Sequence, residues 1–211
     1  MPLDTAYMIT ALVTMFVVVD PIAIAPLFIA LTPGMSDAER RHVAWRACLI
    51  AGLLLMVFAA FGEAVLGFIG ISMPAFRVAG GVLLFITALD MLFDRRTKRR
   101  TDRAEEEEDR EDPSAFPLAI PLIAGPGAIA SVILLTSSKP GWEGLLTVWG
   151  ITALTLVVMA LTLQASGYLE RALGKTIISV ITRLLGMLLA ALSVQFVLDG
   201  LNAFGFGPAT G

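Results

Sequence analysis

The 211-residue chain is poor in the side chains on which enzymes and metal proteins depend, with one cysteine, Cys48, and one histidine, His42. A single cysteine cannot form an intramolecular disulfide, and it cannot supply the cysteine pair of a quinone-linked disulfide enzyme. A single histidine cannot provide the paired imidazoles of a zinc metalloprotease. A serine nucleophile would find a base only in Lys139 or Lys175, which lie at the interfaces. We therefore expect no enzymatic activity, no cofactor and no metal site.

Charge is scarce as well, because charged residues make up 16% of the chain, whereas 57% of the residues are hydrophobic and the mean hydropathy is +0.83. This composition is typical of a membrane protein, with lipid rather than nucleic acid as its partner. A hydrocarbon core of about 30 Å needs roughly 20 apolar residues per helix. Six windows satisfy this length: Ala6–Thr32, Val43–Ile69, Pro74–Phe93, Phe116–Ser138, Trp142–Tyr168 and Thr176–Leu201. The sequence predicts an all-α membrane protein with six transmembrane helices.

The basic residues are distributed unequally between the two sides of the membrane. Thirteen of the fifteen fall at the loops after predicted helices one, three and five, and the opposite side keeps only Arg77 and Lys139. Loops rich in Lys and Arg stay on the cytoplasmic side. We therefore expect a multi-pass protein of the bacterial inner membrane with both termini on the periplasmic or extracellular side.

One charged segment, residues 94–115, divides the chain into two predicted halves of three helices each, 1–93 and 116–211. Its first part is basic and its second part is acidic. We interpret the segment as a solvated cytoplasmic linker. A docking site for a soluble partner is the alternative.

The two halves resemble each other in sequence. PIAIA at Pro21–Ala25 matches PGAIA at Pro126–Ala130, while another register pairs the prolines 21 and 26 with 121 and 126. In the third helix of each half, the pairs that align are Arg77 with Arg183, Gly80 with Gly186 and Thr87 with Ser193. Because three spans is an odd number, the second copy must enter the membrane from the other side. The pattern predicts inverted repeats, and chance similarity between apolar helices is the alternative.

Predicted helices one and four each contain residues that interrupt a helix near the middle of the membrane. Asp20, Pro21 and Pro26 lie in the first, and Gly125, Pro126 and Gly127 lie in the second. Proline removes an N–H and crowds the preceding turn, so we expect broken helices that expose amide N–H and carbonyl groups. Such groups could bind a zwitterionic substrate, whose carboxylate would accept hydrogen bonds from the N–H groups and whose ammonium would donate to the carbonyl groups. Asp20 could bind the ammonium, carry a coupling proton, or cap the half helix that begins at Pro21.

Other polar residues in the spans are weaker candidates for the same site. Thr87 and Ser193 are candidates for binding substrate, and Glu63 and Asp90 for coupling a proton or another ion. Each has a simpler alternative. Glu63 could reach the interface, Asp90 could pair with arginines just beyond it, and Ser193 could bond a neighbouring helix.

Three segments carry a resemblance to a known family: DPIAIAPLFIALTPGMSDAERR from Asp20, FRVAGGVLLFITALDML from Phe76 and FPLAIPLIAGPGAI from Phe116. They resemble segments of the MarC family of integral membrane proteins, over nearly the whole chain. The resemblance implies a six-helix carrier of the lysine-exporter superfamily. It also implies site residues at Asp20–Pro26, Gly80, Gly81, Asp90 and Gly125–Gly127. Many relatives have Asn at the position of Asp20.

The residues and the resemblance together favour a secondary transporter of small neutral amino acids, of the glycine, alanine and serine class. It would work by alternating access of the inverted repeats. Coupling to protons or Na⁺, and import or export, stay open. So does the oligomeric state, because six helices rich in small residues can act alone or as a homo-oligomer. The alternatives are a non-transporting membrane or envelope-stress protein that acts through a partner, and an exporter of another small metabolite.

Overall fold

A computed structural model describes residues 5–95 and 113–206, and both ranges are helical apart from short connections. The helices are α1 (Thr5–Val19), α2 (Pro21–Leu31), α3 (Asp37–Ile69), α4 (Met73–Leu92), α5 (Pro126–Ser138), α6 (Trp142–Gln164) and α7 (Ser166–Ala203). An irregular helical segment, Ser114–Ile123, precedes α5. Most of the predicted linker, 96–112, lies outside the described residues, so its assignment stays a prediction.

Five stretches of these helices are long and apolar enough to cross a membrane: Thr5–Leu31, Asp37–Ile69, Met73–Leu92, Trp142–Gln164 and Thr176–Ala203. The sixth predicted crossing is a bent pair, in which Ser114–Ile123 meets Pro126–Ser138 at 55°. Such a pair is either a broken span or a re-entrant loop. The protein is therefore a multi-pass integral membrane protein, and its described residues contain five candidate spans and one bent pair.

The local sequence explains where the long helix α3 begins and ends. The Ser36 hydroxyl accepts the N–H of Glu39, and the Glu39 carboxylate accepts the Ser36 N–H at 2.7 Å, which completes a capping box. The helix ends at Gly70, whose φ of 84° is one that glycine adopts without strain. At about 1.5 Å per residue, its 33 residues span about 50 Å. α3 therefore extends well beyond a hydrocarbon core of about 30 Å.

The most extensive helix contact joins α4 and α7, and glycines allow it. A Cβ on Gly81 would lie 2.9 Å from the carbonyl oxygen of Ser193, and one on Gly186 would lie 3.1 Å from that of Ala88. Gly200 faces the carbonyl oxygen of Pro74 in the same way, at 3.0 Å. Rising residue numbers on α4 meet falling numbers on α7, so the two helices are antiparallel. Small residues of this kind let membrane helices approach backbone to backbone.

The remaining helices pack around this pair. α3 lies mainly against α6 and α5, while α1 and α2 lie against α6 and α7. Fully buried side chains form the core between them, among them Met15, Ile24, Phe28, Leu55, Leu84, Leu134 and Met159. On α3, apolar side chains that are more than half exposed recur every fourth residue: Leu49, Leu53, Val57 and Phe61. They share one face of the helix, as expected of a surface in contact with lipid.

Candidate functional site

The first helix break is a single residue, Asp20, between α1 and α2. Its φ of 55° and ψ of 66° place it in the left-handed region. Its N–H still donates to the Phe16 carbonyl at 2.9 Å, and its carbonyl accepts the Ile24 N–H at 3.3 Å. The bonding of the helix is therefore interrupted locally, where Pro21 has no N–H to offer to the carbonyl of Val17.

The Asp20 side chain caps the second half of this helix. One carboxylate oxygen accepts the backbone N–H of Ala23 at 3.4 Å, and Asp20 is completely buried. Pro21 occupies the first position of α2, where its missing N–H costs nothing. The capping role that the sequence offered as one alternative is thus confirmed. Pro26, predicted to disturb the same helix, lies inside α2, which continues to Leu31.

The second break, before α5, is longer and differs in chemistry. Phe116 and Ile120 have extended backbone, and the Ala124 N–H donates to the Ala119 carbonyl at 2.9 Å, where the irregular segment ends. Gly125 then occupies the position before α5, so no side chain caps its first turn. A Cβ on Gly125 would lie 2.6 Å from the Pro121 carbonyl oxygen, which explains why this residue is a glycine.

The two breaks adjoin each other inside the molecule. A Cβ placed on Gly127 would lie 3.4 Å from Val18 Cγ1, two residues before Asp20. It would also lie 3.6 Å from the hydroxyl of Thr87 on α4. The structure therefore brings together the start of α5, the end of α1 and one of the predicted polar residues.

The two breaks differ in access. Asp20 and Pro21 are buried, whereas Pro126 is exposed and Gly125 and Gly127 are half-buried. A groove of about 340 Å³ between α3 and α4 has α5 as its floor and reaches Pro126. Its wall is apolar and includes Phe58, Val65, Leu66, Phe76, Leu83 and Ile133. The approach to the second break is therefore hydrophobic.

The other predicted site residues lie in different places. Ser193 is buried between α4 and α7, where its hydroxyl donates to the Ala190 carbonyl at 2.7 Å. Glu63 is on the exposed side of α3, next to Gly62, which faces α5. Asp90 is half-buried two residues before the end of α4. Across the two described ranges, no group of three or more His, Cys, Asp and Glu residues is placed to hold a metal ion.

Sequence reasoning missed one feature of this region, the irregular segment Ser114–Ile123. It placed the interruption of helix four at Gly125–Gly127, whereas the backbone already departs from helical angles at Phe116 and again at Ile120. The signal was present, because Pro117 and Pro121 each follow one of these two residues. A residue before proline is driven towards extended backbone.

Known proteins resemble the chain over nearly its whole length. The sequence model of a protein family described as "MarC family integral membrane protein" matches residues 5–204. The chain is 35% identical over 196 residues to a UPF0056 membrane protein of Aquifex aeolicus, covering 92% of both chains. It is 33% identical over 200 residues to the UPF0056 membrane protein YvbG of Bacillus subtilis, covering 93% of this chain and 95% of the relative. No solved structure matches. The chain belongs to the MarC family of integral membrane proteins.

Proposed function

We propose that the protein is a secondary transporter of small neutral amino acids, of the glycine, alanine and serine class, working by alternating access. The observation that carries the proposal is the position of the α5 start, at Pro126, beside the end of α1 at Val18, where the first break separates α1 from the half-helix start at Pro21. One start holds a carboxylate of the protein itself, and the other holds no side-chain cap.

The capped start indicates what the uncapped start binds. Pro21 and Pro126 are 105 residues apart, so Gly125 is the counterpart of Asp20 in the second half. The first amide groups of a helix carry a partial positive charge and bind anions. At α5 these are the N–H groups of Gly127 and Ala128. The substrate carboxylate binds these N–H groups at the start of α5, as the Asp20 carboxylate binds the Ala23 N–H at the start of α2.

The surroundings of Gly127 favour a small substrate. Val18 and Thr87 lie within ordinary contact distance of a Cβ at this position, so little room is left for a bulky side chain. The substrate ammonium meets carbonyl groups of the first break, where Pro21 supplies no N–H to the Val17 carbonyl. The Thr87 hydroxyl offers a further hydrogen-bonding group beside the start of α5.

The packing of α4 against α7 supports the inverted repeats that alternating access requires. Gly81 faces Ser193 and Val197, while Gly186 faces Ala88 and Leu92. Adding 105 to the α4 positions 81, 88 and 92 gives the α7 positions 186, 193 and 197, so the contact is reciprocal. This register pairs Gly81, rather than Gly80, with Gly186, and it is the register that pairs Pro21 with Pro126. Antiparallel packing of equivalent helices is expected of an inverted pair.

Flux measurements in proteoliposomes test the proposal. Radiolabelled glycine or alanine should enter with saturation, and unlabelled serine should compete. Repeating the assay with an imposed proton or Na⁺ gradient of either direction identifies the coupling ion. Gly127→Val should abolish flux because it fills the space beside Val18 and Thr87. Gly150→Val is the matched control, since nothing lies within 4 Å of a Cβ at Gly150. Absence of flux for every neutral amino acid would reject the proposal.

The alternative is a non-transporting protein that acts through a soluble partner, and the charged segment 94–115 favours it. Replacing residues 96–112 by a short flexible spacer separates the two functions. We expect the shortened protein to retain amino acid flux. If the wild type has no flux and the shortened protein loses a cellular phenotype, the partner-dependent function is the correct one.

A further inference from the structure

Arg77 lies at the start of α4 in an unusual position for a cation. Its side chain is half-buried, and one Nη group donates to the Ser137 hydroxyl at 3.2 Å. That hydroxyl donates in turn to the Leu134 carbonyl at 2.9 Å. Among the residues that the structure describes, Ser137 is the only hydrogen-bond partner of Arg77, and its buried Nε has no acceptor. A guanidinium with five donors and no carboxylate is poorly satisfied.

This guanidinium lies at one end of the apolar groove between α3 and α4. Ile129 and Ile133 line the groove, and Ser137 follows at the same four-residue spacing on the same face of α5. On α4, the groove residue Phe76 immediately precedes Arg77. The groove therefore runs along α5 from Pro126 to Ile133, one helical turn before the Ser137 that Arg77 binds.

We propose that this surface is a binding site for an anionic glycerophospholipid. The lipid phosphate accepts hydrogen bonds from the outer Nη groups of Arg77, and one acyl chain lies in the groove towards Pro126. This inference concerns a lipid held at a defined place, and it does not depend on the proposed transport activity.

Charge and location identify the occupant. The groove lies within the membrane-crossing helices, where acyl chains are the surrounding medium, and its volume of about 340 Å³ is in the range of ligand pockets. Arginine pairs with phosphate through directed, charge-assisted hydrogen bonds. The other nearby cation, Lys139, lies over the Tyr7 ring of α1 with its Nζ 4.0 Å from the exposed Glu143 carboxylate, so its charge is already offset. Arg77 has no such carboxylate among the described residues, and its charge favours an anionic over a zwitterionic headgroup.

The test measures lipid retained by the purified full-length protein. The protein is equilibrated with equal amounts of phosphatidylglycerol and phosphatidylcholine in detergent, washed, and analysed by native mass spectrometry. We expect about a tenfold preference for phosphatidylglycerol, and its loss in Arg77→Gln. Arg183→Gln removes an exposed arginine from α7 and should leave the preference unchanged.

A second pair of variants tests the acyl-chain groove independently of Arg77. Val65→Trp fills the groove and should reduce retained phosphatidylglycerol severalfold. Val57→Trp, at a similarly exposed valine of α3 outside the groove, should not. Unchanged retention in either Arg77→Gln or Val65→Trp overturns the proposal. Displacement of the lipid by inorganic phosphate alone would also overturn it, because it would indicate an anion site without a bound acyl chain.

Discussion

At the scale of single residues, Asp20 combines two demands that few side chains meet. Its backbone is left-handed, with a φ of 55°, and its carboxylate caps the first turn of α2. Aspartate and asparagine tolerate this backbone because their short polar side chains can bond locally, whereas most residues with a Cβ lose roughly 1–2 kcal/mol there. Both also rank among the best helix caps. The position therefore favours Asp, Asn and, for the backbone alone, Gly.

Substitutions of Asp20 should separate the two demands. Asp20→Ala loses the cap and strains the backbone, and we expect a cost of about 2–3 kcal/mol. Asp20→Gly loses only the cap, and Asp20→Asn should be close to the wild type. The apparent unfolding temperature in detergent should be highest for Asp20→Asn, lower for Asp20→Gly and lowest for Asp20→Ala. Equal temperatures for all three variants would contradict the capping geometry.

The same position tests whether the carboxyl group is needed for more than structure. Because asparagine preserves the cap, Asp20→Asn should retain exchange of labelled glycine against unlabelled glycine across proteoliposomes. This exchange is compared with the net flux of glycine that the same variant shows under an imposed proton gradient. If Asp20 carries the coupling proton, the variant keeps exchange and loses the response to the gradient. Loss of exchange in a stable Asp20→Asn protein would assign the carboxylate to substrate binding.

At the scale of elements, the sequence predicted the ordinary spans well and the broken ones incompletely. The third window, Pro74–Phe93, agrees with the span Met73–Leu92 to within one residue at each end. Hydropathy suffices there because each long apolar run must satisfy its own backbone in lipid. The effect of each proline on its helix depends on tertiary structure. Pro26 sits in a continuous helix, whereas Pro117 and Pro121 lie in a segment with extended residues. All three prolines give the same local signal, so the sequence indicates where a helix could break but not which proline the helix absorbs.

The close contact between α4 and α7 makes its own prediction. A side chain at Gly81 would collide with the Ser193 carbonyl and the backbone N of Val197, at 2.9 and 3.0 Å from a Cβ. Neither atom can move without shifting a helix, so Gly81→Val should destabilise the protein by about 1–3 kcal/mol. Gly186→Val should destabilise the protein by a similar amount, because a Cβ there would meet the Ala88 carbonyl oxygen and the Leu92 backbone N. Gly150→Val is the control with open space, and a similar loss of stability there would contradict the argument.

At the scale of the whole molecule, the distribution of charge predicts how the protein lies in the membrane. The end of α3 that carries Arg40 and Arg41 should face the cytoplasm, and the loop between α3 and α4 should face outwards. Cys48 is buried, so we expect the natural chain to react slowly with thiol reagents. Met35→Cys and Ile71→Cys place a thiol near each end of α3. In intact cells, a membrane-impermeant maleimide should label Ile71→Cys and spare Met35→Cys. The reverse pattern would invert the topology.

The three glycine contacts between α4 and α7 also restrict how the molecule can move. From Gly186 to Gly200 they extend over fourteen residues of α7, or about 21 Å. Two rods touching along such a length cannot tilt against each other without separating at one end. The pair therefore forms a fixed frame that joins the two halves. If the proposed alternating access operates, the movement is expected in the segments beside this pair, at the break between α1 and α2 and at the turn into α5.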